Sequence, residues 1–73
     1  MKQIVVTGAA GFIASNLALK LNSIGHTNLI LVDNFDSAEK NKNLKNVVCS
    51  QQINRNNFIE WLTENSEDVS FIF

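Results

Sequence analysis

Three small residues at a spacing of three, Gly8, Gly11 and Ala14, follow a short apolar run. A glycine that ends a strand can take the backbone angles of a tight turn, and a second glycine lets a phosphate approach the backbone. A small third residue allows the next helix to pack closely on the strand, and alanine is tolerated there. The N–H groups of the first helical turn would then face the phosphates. The spacing therefore indicates a turn that binds the pyrophosphate of a dinucleotide.

A carboxylate follows this turn at the sequence separation that is typical of a dinucleotide-binding fold. Asp33 lies 19 residues after Ala14, at the end of the second apolar run. In a dinucleotide-binding fold, an acid at this place accepts hydrogen bonds from the hydroxyl groups of the adenosine ribose. The glycine pattern departs from G-x-G-x-x-G and is a weak signal alone, but the acid and the flanking elements strengthen it. The alternative is a glycine turn that binds nothing, with Asp33 as a cap.

The elements that must position these residues follow from the hydrophobic pattern. Continuous apolar runs at 4–6 and 29–32 predict strands that are buried on both faces, as in a parallel sheet. Between these strands a helix is predicted to end before Gly25. Four apolar residues at helical spacing predict its buried face: Ile13, Leu17, Leu21 and Ile24. Strand, helix and strand in this order indicate a βαβ unit.

The second half of the chain gives weaker signals. Residues 34–46 are polar and have no period, which predicts a mobile loop, and residues 47–49 are a weak candidate for a third strand. Asn56 or Asn57 is predicted to cap a short helix, and residues 69–73 are predicted to form a fourth strand. That helix would carry three apolar residues on one face: Phe58, Trp61 and Leu62. The predicted fold is α/β, the N-terminal portion of a Rossmann-type doubly wound parallel sheet.

Composition limits the function classes. The chain has 73 residues and a formal net charge of −1, so it holds at most one small domain and shows no electrostatic signature of nucleic-acid or membrane binding. Cys49 is the only cysteine, so neither an intrachain disulfide nor a clustered metal site is expected. The free thiol and the lack of a signal-like N-terminus predict a cytoplasmic protein.

The last predicted strand bears on domain organisation. A parallel strand that is buried on both faces needs helices on both sides, and no residue follows Phe73 to supply one. We therefore expect residues 1–73 to be the front portion of a larger domain. The alternative is a small domain that covers its sheet by self-association.

These motifs resemble the extended short-chain dehydrogenase/reductase superfamily. The resemblance covers essentially the whole chain and rests on the residues 7–16, read as Thr-Gly-x-x-Gly-Phe-Ile-x-Ser-Asn, and on Val32-Asp33-Asn34. It implies that residues 1–73 are the N-terminal segment of an NAD(P)-binding Rossmann domain. Within the superfamily the chain is most similar to the epimerases that act on ADP-heptose, through Asp33-Asn34, Lys40 and residues 56–59. Nucleotide-sugar 4-epimerases and 4,6-dehydratases share the first part and remain open.

The resemblance implies roles for individual residues in cofactor binding, beside the firmest candidates Gly8 and Gly11. The backbone of Phe12 and Ile13 would contact the cofactor pyrophosphate. The side chains at the end of the second strand, Asp33 and Asn34, would bind the adenosine ribose.

The expected cofactor is NADP, with NAD as the alternative. A carboxylate such as Asp33 repels a 2′-phosphate and alone would favour NAD. The resemblance places Lys40 and Arg55 near that phosphate, where their positive charges would compensate. The alternative for both basic residues is an ordinary solvated surface position.

The resemblance also implies a reaction that this segment cannot complete. The superfamily uses a Tyr-x-x-x-Lys pair, and the chain contains no tyrosine. The implied reaction inverts C6″ of ADP-heptose, in lipopolysaccharide core synthesis, by transient oxidation and re-reduction with bound NADP. The full-length enzyme would be a homo-oligomer that binds ADP-heptose or another nucleotide sugar. A module that binds NAD(P) without catalysis and reports it to a partner remains the alternative from another class.

Overall fold

Four strands form one parallel sheet with the order β3-β2-β1-β4. The computed structural model describes residues 2–73. The strands are β1 (Gln3–Thr7), β2 (Leu29–Asp33), β3 (Gln51–Asn54) and β4 (Val69–Ile72). The helices are α1 (Phe12–Ser23), α2 (Ala38–Asn41) and α3 (Phe58–Asn65). Short 3₁₀ turns cover Lys42–Leu44, Arg55–Asn57 and Ser66–Asp68.

The core lies on both faces of the central strand β2, which is buried along its whole length. On one face, Val6 and Leu31 pack in a cluster with Ala18 of α1. On the other face, the cluster of Val5, Ile30, Val32 and Ile53 is covered by Phe58 and Trp61 of α3. Because α1 and α3 lie on opposite faces, the sheet is doubly wound, and the predicted α/β fold class is confirmed.

The predicted end of α1 before Gly25 is confirmed, and its predicted buried face is confirmed for Leu21, which is buried, and Leu17, which packs against the core, but is wrong for the two isoleucines. The side chains of Ile13 and Ile24 are 83% and 59% exposed, whereas Ser15, Ala18 and Leu21 are buried. The contact with the sheet includes the small side chains of Ser15 and Ala18, which let the two elements approach closely, and the two isoleucines lie to the side of this contact. A prediction from the spacing of large apolar residues does not include the small residues on the buried face of the helix.

The polar segment 34–46 contains the helix α2 and a 3₁₀ turn, which corrects its prediction as a loop without secondary structure. Ser37 caps α2, with its Oγ accepting a hydrogen bond from the backbone N–H of Lys40 (3.2 Å). Asn41 donates from Nδ2 to the carbonyl oxygen of Phe35 (2.8 Å), and Leu44 packs against the core on the α1 side. Local hydrogen bonds from side chains to the backbone thus hold this segment, so its sequence lacks the apolar periodicity of a longer helix.

The third strand lies later in the sequence than predicted. It covers Gln51–Asn54, while Val47 and Cys49 of the predicted strand 47–49 pack from a loop against the core. The strand β3 is at the edge of the sheet, and only Ile53 in it is buried, so its sequence is mostly polar.

The predicted helix α3 and the fourth strand are confirmed, with a different cap. Asn57 is the N-cap residue of α3, but its side chain makes no capping hydrogen bond. Asn54 caps the preceding turn instead, by accepting from the backbone N–H of Asn56 (2.9 Å). The strand β4 pairs with β1 and leaves the side chains of residues 71–73 at least half exposed. Within residues 2–73, no helix combines the length and the apolar character that a membrane crossing requires.

Candidate functional site

The candidate site lies at the carboxyl ends of β1, β2 and β3. These ends share one edge because the strands are parallel and in register, with Thr7 beside Val32 and Asp33 beside Asn54. The glycine turn, which we define as residues 8–11, follows β1 directly. In an open α/β sheet, ligands bind at this carboxyl edge.

The two glycines of the turn are required for different reasons. Gly8 has a φ of 62°, the left-handed conformation predicted for the exit from the strand, and a Cβ there would meet no atom within 4 Å. Gly11 has an ordinary φ of −69°, but a Cβ there would lie 3.2 Å from the carbonyl oxygen of Gly8. The first glycine is therefore needed for conformation and the second for space.

The turn is tied to β2 by its backbone. The N–H of Ala9 donates to the carbonyl oxygen of Val32 (3.1 Å), and the N–H of Gly11 donates back to the carbonyl oxygen of Gly8 (2.9 Å). These bonds fix the direction in which the chain enters α1.

The first turn of α1 presents free donors to the edge of the sheet. Gly11 occupies the cap position and has no side chain, and the helical bonding begins with the N–H of Ser15 on the carbonyl oxygen of Gly11 (2.9 Å). The N–H groups of Phe12, Ile13 and Ala14 precede that bond and belong to the unpaired first turn of a helix. The first turn carries no acidic residue, so the helix dipole would attract an anion there.

Asp33 connects the end of β2 to the glycine turn. It is 5% exposed. Its Oδ2 accepts a hydrogen bond from the backbone N–H of Ala10 (3.0 Å), and its Oδ1 accepts one from the N–H of Asn34 (2.7 Å). Each carboxylate oxygen keeps a second lone pair, so the group can still accept from hydroxyl groups of a ligand.

The surroundings keep Asp33 ionised. Burial by itself would raise the pKa of this carboxyl. The backbone hydrogen bonds from Asn34 and Ala10 oppose that effect, and the positive charges of Lys40 and Arg55 add to them. The net result is a pKa of Asp33 below its ordinary value.

The basic candidates lie at the same edge. The Nζ of Lys40 in α2 is 3.9 Å from Oδ2 of Asp33, and its side chain is half exposed. Arg55 follows β3 directly and is exposed. The structure therefore brings both basic side chains to the strand ends that carry Asp33 and Asn34.

An apolar cavity of about 570 Å³ adjoins the turn. It runs from Gly8 and Gly11 along the exposed side chains of Phe12 and Ile13 to Phe73. Phe12 and Ile13, which are predicted to contact the cofactor pyrophosphate through their backbone, thus carry free N–H groups and also line this cavity.

One further residue at the site, Asn43, could not be predicted from the sequence. Asn43 donates from Nδ2 to the carbonyl oxygen of Ala10 (2.9 Å). It is one of several asparagines in a polar segment without a period, and no spacing rule distinguishes it from its neighbours. Only the folded chain shows that it reaches the glycine turn.

Comparison with known proteins agrees with this geometry. Residues 4–73 match the model of the NAD dependent epimerase/dehydratase family. The chain is 40% identical over 73 residues to the ADP-L-glycero-D-manno-heptose-6-epimerase of Brachyspira hyodysenteriae, covering 96% of this chain and 23% of that protein. It is 42% identical over 66 residues to the protein of that name from Thiobacillus denitrificans, covering 90% of this chain and 20% of the relative. A third protein of that name, from Pseudomonas paraeruginosa, is 46% identical over 57 residues, or 78% of this chain and 17% of the relative.

The chain thus spans about a fifth of the length of the curated relatives that it matches. The family model, in contrast, matches nearly all of this chain. The superfamily resemblance predicted from the glycine turn and Asp33 is confirmed, and the chain belongs to the NAD-dependent epimerase/dehydratase family.

Proposed function

We propose that residues 1–73 are the N-terminal cofactor-binding segment of an NADP-dependent nucleotide-sugar epimerase, of the kind that acts on ADP-heptose. The observation that carries this proposal is the buried Asp33 at the end of β2, bonded to the glycine turn and 3.9 Å from Lys40. The similarity to three heptose 6-epimerases supports the choice of substrate.

The residues present suit a dinucleotide. In this proposal the pyrophosphate is held by the backbone N–H groups of Phe12 and Ile13, where the helix dipole favours negative charge. The small Gly8 and Gly11 keep that approach free of side chains. Asp33 accepts hydrogen bonds from the ribose hydroxyl groups with the lone pairs that its backbone partners leave free.

Charge at the adenosine end supports NADP over NAD. The carboxylate of Asp33 would repel a 2′-phosphate, but it is compensated by Lys40 and Arg55, which both lower its pKa. Among these three groups, the two positive charges outnumber the single negative charge. An excess positive charge at this edge suits a 2′-phosphate better than a plain ribose. Asn34, which adjoins Asp33, completes the adenosine side of the proposed site.

When bound, the nicotinamide supplies the hydride acceptance and return that an epimerase needs. In this proposal the chain holds and orients the cofactor, and the catalytic Tyr-x-x-x-Lys pair and the sugar-binding residues belong to other parts of the full-length protein. The reaction is inversion at C6″ of ADP-heptose, a step of lipopolysaccharide synthesis. The proposal includes a homo-oligomer in the cytoplasm, and the free thiol of Cys49 supports a reducing compartment.

The proposal is tested on the full protein as its gene encodes it. The purified protein is incubated with NADP and ADP-heptose, and the two C6″ epimers are separated and quantified. We expect conversion toward an equilibrium mixture without net consumption of NADP. Conversion of a UDP- or dTDP-sugar instead would assign the chain to a 4-epimerase or a 4,6-dehydratase. Cofactor binding without any turnover would favour a non-catalytic sensing module.

A further inference from the structure

We propose that Asn43 is a positioning residue of the dinucleotide site, because its side-chain amide holds the backbone of the glycine turn in the orientation that binds the pyrophosphate. This inference rests on the proposed function and adds to it a residue outside the predicted set of cofactor contacts.

The contact joins two segments that are far apart in sequence. Asn43 lies 33 residues after Ala10, and its Nδ2 donates to the carbonyl oxygen of Ala10 at 2.9 Å. Ala10 is 1% exposed, and its N–H donates to Oδ2 of Asp33 at 3.0 Å. Both backbone groups of this buried residue are therefore bonded to side chains that come from β2 and the segment after it.

The bond from Asn43 acts on the peptide unit that directs the start of α1. The carbonyl of Ala10 and the N–H of Gly11 belong to one planar peptide group. The N–H of that group donates to the carbonyl oxygen of Gly8 at 2.9 Å, so the plane is held at both ends. Rotation of this plane would redirect the next N–H groups, those of Phe12 and Ile13. Asn43 therefore fixes the donors to which the proposed function assigns the pyrophosphate.

The same bond attaches the adenosine side of the site to its phosphate side. The segment that contains Asn43 is held together by Ser37, which caps α2, and by Asn41, which donates to the carbonyl oxygen of Phe35. This segment also carries Lys40, next to Asp33. Through Asn43, the position of that segment is set relative to the glycine turn rather than to the sheet alone.

The chemistry requires an N–H donor of this size. An aspartate would have the same shape but would direct an acceptor at the carbonyl oxygen of Ala10. An alanine would leave that buried carbonyl without its side-chain donor, and a lost hydrogen bond of this type weakens an interaction about three- to tenfold.

The test is a titration of the full protein, as its gene encodes it, with NADPH and NADH. We expect Asn43→Ala to raise the Kd of both cofactors by a similar factor, about three- to tenfold, because both contain the pyrophosphate. Asn43→Asp should bind at least as weakly as Asn43→Ala. The matched control is Asn46→Ala, an exposed asparagine three positions on, which should bind like wild type.

The possible results separate the inference from the proposed function. If wild type binds neither dinucleotide, the proposed function is wrong and the role of Asn43 is overturned with it. If wild type binds and Asn43→Ala binds equally well, only the role of Asn43 is overturned. Wild-type affinity in Asn43→Asp would show that shape rather than the donor matters, which also overturns the inference. If Asn43→Ala does not fold, hydrogen exchange at the Gly11 amide is compared between wild type and Asn43→Asp; faster exchange in the variant is expected, and equal exchange overturns the inference.

Discussion

The carboxylate of Asp33 accepts a hydrogen bond from the backbone N–H of Ala10 at 3.0 Å, across 23 residues of sequence. This bond joins the end of β2 to the glycine turn. One side chain thus shapes the turn and also presents a negative charge at the site proposed for the ribose. A substitution at Asp33 should therefore change both the stability of the fold and the affinity for a dinucleotide.

The first prediction concerns the dependence of stability on pH. The pKa of Asp33 is lower in the folded protein than its ordinary value, so the unfolded chain binds more protons in the acid range. The contribution of Asp33 to stability is complete above the ordinary pKa that the carboxyl has in the unfolded chain and is lost as the pH falls through the lower pKa of the folded protein. Asp33→Asn should remove this part of the acid dependence.

The measurement is urea unfolding of wild type and Asp33→Asn at a series of pH values from neutral into the acid range. Asp36→Asn makes the same charge change at an exposed position of the same segment and serves as the control. Parallel curves of unfolding free energy against pH for wild type and Asp33→Asn would contradict the prediction.

The second prediction separates backbone strain from cofactor binding. Gly8 and Gly25 both have positive φ values, 62° and 102°. Alanine at either position should lower the free energy of unfolding by about 1–2 kcal/mol, because a side chain disfavours this conformation. Gly8 lies in the glycine turn, whereas Gly25 ends α1 far from it.

Affinity for NADPH should therefore fall in Gly8→Ala and stay at the wild-type value in Gly25→Ala. Both variants are unfolded in urea and titrated with cofactor under the same conditions. An equal loss of affinity in the two variants would mean that general destabilisation, rather than the turn, controls binding.

The third prediction concerns the choice between NADP and NAD. Lys40 lies 3.9 Å from the carboxylate of Asp33, at the edge proposed for the 2′-phosphate. Lys40→Met should weaken NADPH binding about tenfold, the effect of a lost charge-assisted hydrogen bond, and should change NADH binding little. Lys42→Met, at an exposed position on the following turn, is the control for overall charge.

Paired titrations with NADPH and NADH measure this selectivity. The NADPH affinity of wild type should also fall with added salt, since exposed charges are screened. A Lys40→Met variant that loses both cofactors equally would place Lys40 away from the 2′-phosphate.

Much of the fold follows from the sequence, because the inner strands and the glycine turn have strong local signals. The strand β2 is buried along its length, and its continuous apolar run marks it clearly. The apolar run 47–49 favours a third strand there, but β3 is an edge strand with a mostly polar sequence, and its only buried residue is Ile53. The structure of segment 34–46 depends on hydrogen bonds from side chains to the backbone, such as those of Ser37 and Asn41. Such bonds produce no apolar periodicity in the sequence, so the sequence predicts only a loop there.

The features of the candidate site also divide into those that the sequence predicts and those that only the structure shows. Gly8 and Asp33 follow from spacing, since the strand–turn–helix geometry restricts both positions. The role of Asp33 in holding Ala10, and the reach of Asn43 to the same residue, depend on how the segment after β2 folds back. No local pattern records that path, so these contacts could be found only in the structure.

The most direct test of the central claim is calorimetric titration of the full protein with NADPH, for wild type, Gly11→Val and Asp33→Ala. A side chain at Gly11 would crowd the carbonyl oxygen of Gly8, 3.2 Å from the added Cβ, and would occupy the space beside the free N–H groups. Removal of the Asp33 carboxylate takes away the acceptor for the ribose and for Ala10. We expect wild type to bind and both variants to lose binding or weaken strongly, while they remain folded by circular dichroism. Unchanged affinity in folded variants, or a wild type that does not bind, would contradict the account.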